Sequence, residues 1–450
     1  MCTLTPEKID ADQSAAYHPP IFLMQEKTMN ARLDPHTFTG MVDEQAHEFR
    51  VATAAYRGPG VFAQEMEQIY YKTWIYLCHE SEIAKPGDFK STQIGTRPVI
   101  VTRGREGGIH ALLNACTHRG ATICREEKGN TRAFVCPYHG WSFRTSGELI
   151  GIPDEARYPE GFNKSDKNLK SVPRVAAYGG LVFGSFNPDV EPLETFLGGA
   201  KQHIDLWLKR TAGSTYRVAT SHKYGFDGNW KFQAENVYDG YHPGFVHRSA
   251  FNTVRKFEGS FENRELHAAV RQQGYTRGYP EGHGTLEAGA PLESGGIDPA
   301  VRDAYNTQLK TLYGEDGAAE VLTNRQFLIF PNLTIFDFNI RVIQPIAHDR
   351  TEVYSYPLMI EGAHDEINAN RMLDAQTRVG TAGILSADDI DVFAGGQNAL
   401  RTEAFKWITL SRGLGKEEVK PDGERVGVYS DEAPQRAFWR KWRALMAASA

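Results

Sequence analysis

A chain of 450 residues with 41% hydrophobic, 11% aromatic and 24% charged residues has globular composition, which excludes a collagenous or wholly disordered polymer. The length allows two or three domains, each with a sizeable core. A balance of 50 basic against 56 acidic side chains, net −6, provides no basic field for nucleic acid or an anionic membrane.

The N-terminus, MCTLTPEKIDADQ, lacks a basic-then-apolar signal pattern, and no apolar run of about 18 residues follows. A cytoplasmic location is expected. Residues 1 to about 50, with Pro19, Pro20 and Pro35, read as an arm. After Gly58-Pro59-Gly60, the spacing of Phe62, Met66, Ile69, Tyr70 and Trp74 predicts a helix over 61–75. From about residue 86, short alternating runs broken by Gly-rich turns predict antiparallel β structure, with hairpin turns at 104–108 and 144–149. LVFGSF (181–186) closes that region.

Beyond residue 192 the pattern is mixed. It predicts a helix over 193–210, and over 228–251 a helix broken near Pro243-Gly244. Few clear elements are expected over 258–318. Strands follow over 326–347 and 351–360, then mostly helix over 366–400, and last a basic, aromatic surface helix. No internal repeat is present.

The five cysteines are Cys2, Cys78, Cys116, Cys124 and Cys136. An odd count in a long chain without a signal pattern argues against a disulfide framework, and the clustering of three points to metal or redox chemistry. Cys116-x-His118 and Cys136-x-x-His139 are separated by 17 residues, each at an apparent hairpin tip. Each half pairs a thiolate with an imidazole. Two of each ligand suit a tetrahedral zinc or a two-iron two-sulfur cluster with Cys on one iron and His on the other. Zinc fingers usually group like ligands, so the mixed halves favour the Rieske type of cluster. Cys124 has no His at ligand spacing and reads as a small buried residue, and Cys2 and Cys78 are read the same way.

A second constellation is EN-VYDGYHPGFVH (235–247). Asp239 and His242 are three residues apart and would share a helical face. His247 lies five residues beyond His242, about 140° round an ideal helix, so both reach one metal only across a distortion. Pro243 and Gly244 supply one. Two His and a carboxylate form the facial triad of non-heme Fe(II) oxygenases. Asp388 and Asp389 in SADDID are the best carboxylates, although acids near Ser386 also suit an ordinary helix start.

At this point the sequence resembles the large (α) subunit of Rieske non-heme iron aromatic-ring-hydroxylating dioxygenases, from about residue 48 to near the C-terminus. WIYLCHESEIAKPGDF, NWKFQAEN, FPNLTIFDFNIRVIQPI and SADDIDVFAGGQ carry the resemblance beside the two motifs. CTHRGATICRE and AEN-x-x-DGYH resemble the benzoate, toluate and anthranilate branch. The resemblance implies that Cys116, His118, Cys136 and His139 bind the cluster, and that His242, His247 and Asp389 bind the mononuclear iron, with Asp388 as the alternative acid. It implies that Asp239 links His139 of one subunit to His242 of its neighbour, and that Asn236 lies near the iron.

The implied fold is α+β: a Rieske-type antiparallel β domain (73–191) inserted in a helix-flanked antiparallel-sheet domain of the helix-grip, Bet v1-like kind (1–72 and 192–450). A head-to-tail trimer of α, or of αβ pairs, is implied too. The chain has no GxGxxG unit and no plant-type ferredoxin cysteine run, so NAD(P)H electrons are expected through a separate reductase, with or without a ferredoxin. The implied reaction is cis-dihydroxylation of an aromatic, benzoate-like substrate. A Rieske monooxygenase, an electron carrier and a structural zinc protein are the competing readings. The substrate cavity is expected near 234–251 and 326–345, with Arg341 a candidate partner for a substrate carboxylate.

Overall fold

The alternating runs between Ile75 and Ser185 form three small antiparallel sheets. One orders Ile109–Leu113, Arg97–Arg103, Asp88–Ile94 and Lys128–Asn130. The second joins Leu149–Gly151, Ser142–Arg144 and Ala133–Val135, and the third Arg174–Tyr178, Leu181–Ser185 and Ile75–His79. Both expected hairpin turns are present: Gly104 N–H donates to Gly108 O and Arg144 N–H to Glu148 O. Phe89, Ile100, Leu112, Phe134, Trp141 and Phe143 bury their side chains together with Cys116, Cys124 and Cys136. The metal-binding cysteines expected here therefore stand on the end of a packed apolar core. Cys78 and Cys124 are buried, as expected, and Cys2 lies outside the described residues.

The computed structural model describes residues 35–250, 274–288, 297–381 and 383–448. Its α+β character comes from a ten-stranded antiparallel sheet formed entirely after residue 215. The central strands Asn339–Ala347 and Arg350–Ile360 are buried over most of their length, which requires cover on both faces. Helices Lys201–Lys209, Trp230–Asn236, Asp365–Thr377, Ser386–Ala399 and Ala433–Ala447 accompany this sheet. No helix among the described residues is long and apolar enough to cross a membrane.

Three expectations change. The stretch 258–318 holds strands Tyr275–Gly278 and Gly284–Ala288 and a helix, Pro299–Leu322, bent where Gly314 takes φ +76°. Residues 258–273 and 289–296 of this stretch lie outside the described residues, and of its glycines Gly314 marks the bend. The C-terminal helix Ala433–Ala447 is not a surface helix: Arg436, Phe438, Trp439 and Trp442 are fully buried. Finally, the break within 228–251 comes before Pro243. Helix Trp230–Asn236 ends first, and Pro243 opens a one-turn helix, Pro243–Val246, where a missing N–H costs nothing.

A buried polar cluster fixes the helix Trp230–Asn236. Lys231 Nζ lies 2.6 Å from Glu65 Oε1, both side chains fully buried. Trp230 and Trp442 donate their indole N–H groups to Glu65 at 2.9 and 2.7 Å. Next to it, Glu235 Oε1 accepts from Tyr56 Oη (2.5 Å) and Trp439 Nε1 (2.7 Å). Burial pushes the Glu235 carboxyl up to about 7, against those two hydrogen bonds. An N-terminal helix, the C-terminal helix and the helix carrying Asn236 are thereby held in one core.

Candidate metal centres

Two loops present the Cys/His quartet. Cys136–Gly140 is the tip of the hairpin between Ala133–Val135 and Ser142–Arg144, as expected. Cys116–Gly120 instead leaves strand Ile109–Leu113 without closing a hairpin, since that strand pairs with Arg97–Arg103 and Lys128–Asn130 pairs elsewhere. The two loops nevertheless fold as one repeated turn. Gly120 N–H donates to Cys116 O at 2.8 Å and Gly140 N–H to Cys136 O at 2.9 Å. Cys116 N–H donates to Ala121 O at 2.8 Å and Cys136 N–H to Trp141 O at 2.7 Å. Gly120 and Gly140 take φ +73° and +72°, the left-handed region open to glycine.

The repeated turn yields a paired prediction. A Cβ on Gly140 would lie 2.9 Å from Pro153 Cγ, whereas one on Gly120 meets nothing within 4 Å. Gly120→Ala is expected to cost only backbone strain, about 1–2 kcal/mol. Gly140→Ala adds a clash and should cost about 1–3 kcal/mol more, with less cluster absorbance per chain. Thermal unfolding of the two variants checks this; equal losses would show that Pro153 does not confine the loop.

The two cysteines are almost fully buried, and His118 and His139 form the half-buried rim. Their imidazole centroids are 4.6 Å apart, Trp141 stacks on His118 at 4.8 Å, and the exposed Tyr138 covers His139 at 3.8 Å. Burial raises the Cys116 thiol, with the adjoining Cys136 thiol adding to the rise and backbone N–H groups of His118 and Arg119 opposing it. His118 Nδ1 is buried with no hydrogen-bond partner, as a ring nitrogen reserved for a metal would be. Among the described residues, the one group of three ligand atoms found within 4.8 Å of one another lies elsewhere.

That convergent group is His242, His247 and Asp389. His242 and His247 flank the one-turn helix Pro243–Val246, and this break lets two residues five apart face one point. Asp389 sits in the first turn of the helix Ser386–Ala399. Asp389 Oδ1 lies 3.6 Å from His242 Nε2 and 3.4 Å from His247 Nε2. Burial raises the Asp389 carboxyl, opposed by His242, His247 and Arg341.

Each imidazole has an acid on its other nitrogen. Asp239 Oδ2 is 3.6 Å from His242 Nδ1, and Asp388 Oδ2 is 3.3 Å from His247 Nδ1. Asp239 and His242 are not on one helical face. They meet across a turn in which Asp239 Oδ1 accepts the N–H groups of Tyr241 (2.6 Å) and His242 (3.2 Å). Burial works against its charge, yet the His242 ring and these N–H groups hold the Asp239 carboxyl below the usual range. Asn236 Nδ2 lies 3.2 Å from Asp389 Oδ1 and 3.3 Å from His242 Nε2, so the sequence-predicted Asn is in the group.

Sequence reasoning missed the facing of Asp388 and His247; the adjacent pair of acids was the only signal. Arg341, offered by the sequence only as a candidate partner for a substrate carboxylate, is buried and donates to Val379 O (3.0 Å) and Ser386 Oγ (3.1 Å). Within the stretches expected to line the substrate cavity, residue 251 lies outside the described residues. A cavity of about 400 Å³ lined by Thr211, Tyr305, Glu361 and His364 shares no residue with either centre.

Comparison with known proteins agrees with both centres. Residues 73–173 match the Rieske [2Fe-2S] domain, and residues 214–448 match the ring hydroxylating alpha subunit (catalytic domain). The chain is 35% identical to the 2-halobenzoate 1,2-dioxygenase large subunit of Burkholderia cepacia over 82% of its length and 81% of the relative's. It is 34% identical to the anthranilate 1,2-dioxygenase large subunit of Acinetobacter baylyi, covering 83% of each. Among solved structures, a naphthalene 1,2-dioxygenase variant bound to phenanthrene superposes with a TM-score of 0.80 at 28% identity, covering 91% of this chain and 94% of that one.

Proposed function

The chain belongs to the Rieske non-heme iron ring-hydroxylating dioxygenases, as their large (α) subunit, and on that premise we propose that it dihydroxylates a benzoate-like aromatic acid. It is a terminal oxygenase whose cofactors are one Rieske cluster and one mononuclear iron. The convergence of His242, His247 and Asp389 beside a separate Cys/His quartet carries the reading. The substrate class rests on the halobenzoate and anthranilate relatives.

In this reading Cys116, Cys136, His118 and His139 hold the cluster, and His242, His247 and Asp389 hold the iron. When bound, the two groups supply single electrons and the open coordination positions at which O2 reacts. The chain's own residues do the rest. Asp388 Oδ2 lies 3.3 Å from His247 Nδ1 and Asp239 Oδ2 lies 3.6 Å from His242 Nδ1, so each carboxylate favours a proton on Nδ1 and leaves Nε2 turned toward Asp389. Asn236 donates to Asp389 Oδ1 and so limits how the carboxylate turns.

The boundaries 73–191 for the Rieske domain, and 1–72 with 192–450 for the catalytic domain, belong to the same reading. So do a separate NAD(P)H reductase with or without a ferredoxin, a trimer of α or of αβ pairs, and a cytoplasmic location.

The test is oxygen incorporation. The purified protein, with about three irons per chain and a matched reductase, is expected to place both atoms of labelled O2 in a cis-dihydrodiol of benzoate. One labelled atom would make it a monooxygenase, and no O2 uptake with any aromatic acid would overturn the substrate class.

A further inference from the structure

Arg341 lies on the strand Asn339–Ala347 and is only 3% exposed. Burying a guanidinium is costly unless its charge and N–H groups are used. Its Nη2 reaches Val379 O at 3.0 Å and Ser386 Oγ at 3.1 Å, and Ser386 Oγ in turn donates to Val379 O at 3.1 Å. The three groups close on one another. Phe336 covers the guanidinium at 4.8 Å, while Nε has no hydrogen-bond partner. Ser386 is itself buried and is the first residue of the helix that carries Asp388 and Asp389. That helix start has no side-chain cap: Leu385 occupies the position.

We propose that Arg341 is a positioning residue for the mononuclear iron: through Ser386 and Val379 it ties the uncapped start of the Asp388–Asp389 helix to the sheet. The tie sets where Asp389 meets His242 and His247, and where Asp388 meets His247. It rests on the reading of those three residues as the iron's ligands. The helix start has no capping side chain of its own, and this tie acts at that position. A site of this kind tolerates only about 0.5 Å of misplacement.

The experiment titrates Fe(II), anaerobically, into protein that keeps its Rieske cluster but has lost the mononuclear iron. Arg341→Gln is expected to weaken Fe(II) binding about tenfold, with cluster absorbance per chain unchanged. Ser386→Ala should weaken it by less, in the same direction. With Co(II) at saturation the ligand-field spectrum of Arg341→Gln should differ from that of the parent, because the carboxylate meets the metal differently. A loss of global stability alone would lower occupancy and leave the spectrum as it was.

Unchanged Fe(II) affinity, or an unchanged Co(II) spectrum, overturns the proposal. So does normal affinity with KM raised for an aromatic acid and not for a neutral arene, which would make Arg341 a substrate anchor. If Arg341→Gln does not assemble a cluster, Ser386→Ala decides, and unchanged affinity there overturns it. Asp389→Ala separates the two levels. If that variant keeps its iron, the ligand reading itself fails; if it loses iron while the Arg341 and Ser386 variants bind normally, the tie alone fails.

Discussion

Asp389→Ala is expected to empty the mononuclear site and leave the Rieske cluster in place. Iron should fall from about three to about two per chain with the visible spectrum intact, and product formation should drop more than about a hundredfold. Asp389 Oδ1 is the carboxylate oxygen that sits within 3.6 Å of His242 Nε2 and 3.4 Å of His247 Nε2. Two imidazoles alone leave the iron without the anionic ligand of a facial triad. Asp388→Ala should behave differently. Asp388 faces His247 Nδ1 at 3.3 Å, the nitrogen turned away from Asp389. Its loss removes this orienting contact from the ring and should weaken iron about 10- to 100-fold, so excess Fe(II) restores occupancy. Iron analysis with and without added Fe(II) distinguishes the two acids. If Asp388→Ala were the variant beyond rescue, the assignment of ligand and partner would be reversed.

The contrast between these neighbouring acids shows what the sequence could and could not carry. Both Cys/His pairs and the His242–His247 pair are local, so their spacing alone announces metal chemistry. Asp389 comes 153 residues after Asn236, and only a family resemblance singled it out. Which of two adjacent acids points at the metal depends on helix phase, and that phase is set by packing, here including the contact of Ser386 with Arg341.

The C-terminal helix was misjudged for a related reason. Arg436 and the basic residues around Trp439 suggest a wet face. The partners that make burial tolerable are distant in sequence: Trp439 meets Glu235 at a separation of 204 residues, and Trp442 meets Glu65 at 377. Such pairs leave no local periodicity. The break at 237–242 was half legible, since Pro243 and Gly244 marked the region, but the carboxylate of Asp239 makes the turn by capping two N–H groups.

Asp239→Ala is expected to slow catalysis more than about a hundredfold, while iron content is largely retained. Asp239 performs two tasks that a pair of variants can separate. Oδ1 anchors the turn by accepting from Tyr241 and His242 N–H, and Oδ2 faces His242 Nδ1. Its carboxyl is held below the usual range, so it is anionic throughout neutral pH. It is also partly exposed, beside the exposed side chains of Tyr241 and Phe245. That placement suits a bridge to the His139 imidazole of an adjacent subunit in the trimer proposed above.

Asp239→Asn keeps an oxygen for the two N–H groups and removes the negative charge. If the turn alone matters, Asn should restore most activity. If the anion matters, as a bridge between the imidazoles requires, Asn should remain nearly as slow as Ala. The measurement is the rate at which pre-reduced cluster is reoxidised when O2 and substrate are mixed in, followed by its visible absorbance in a single turnover. Slow reoxidation in both variants, at full iron occupancy, is the expected result. Parent-like reoxidation in Asp239→Ala would show that electrons reach the iron by a route that does not pass through this acid.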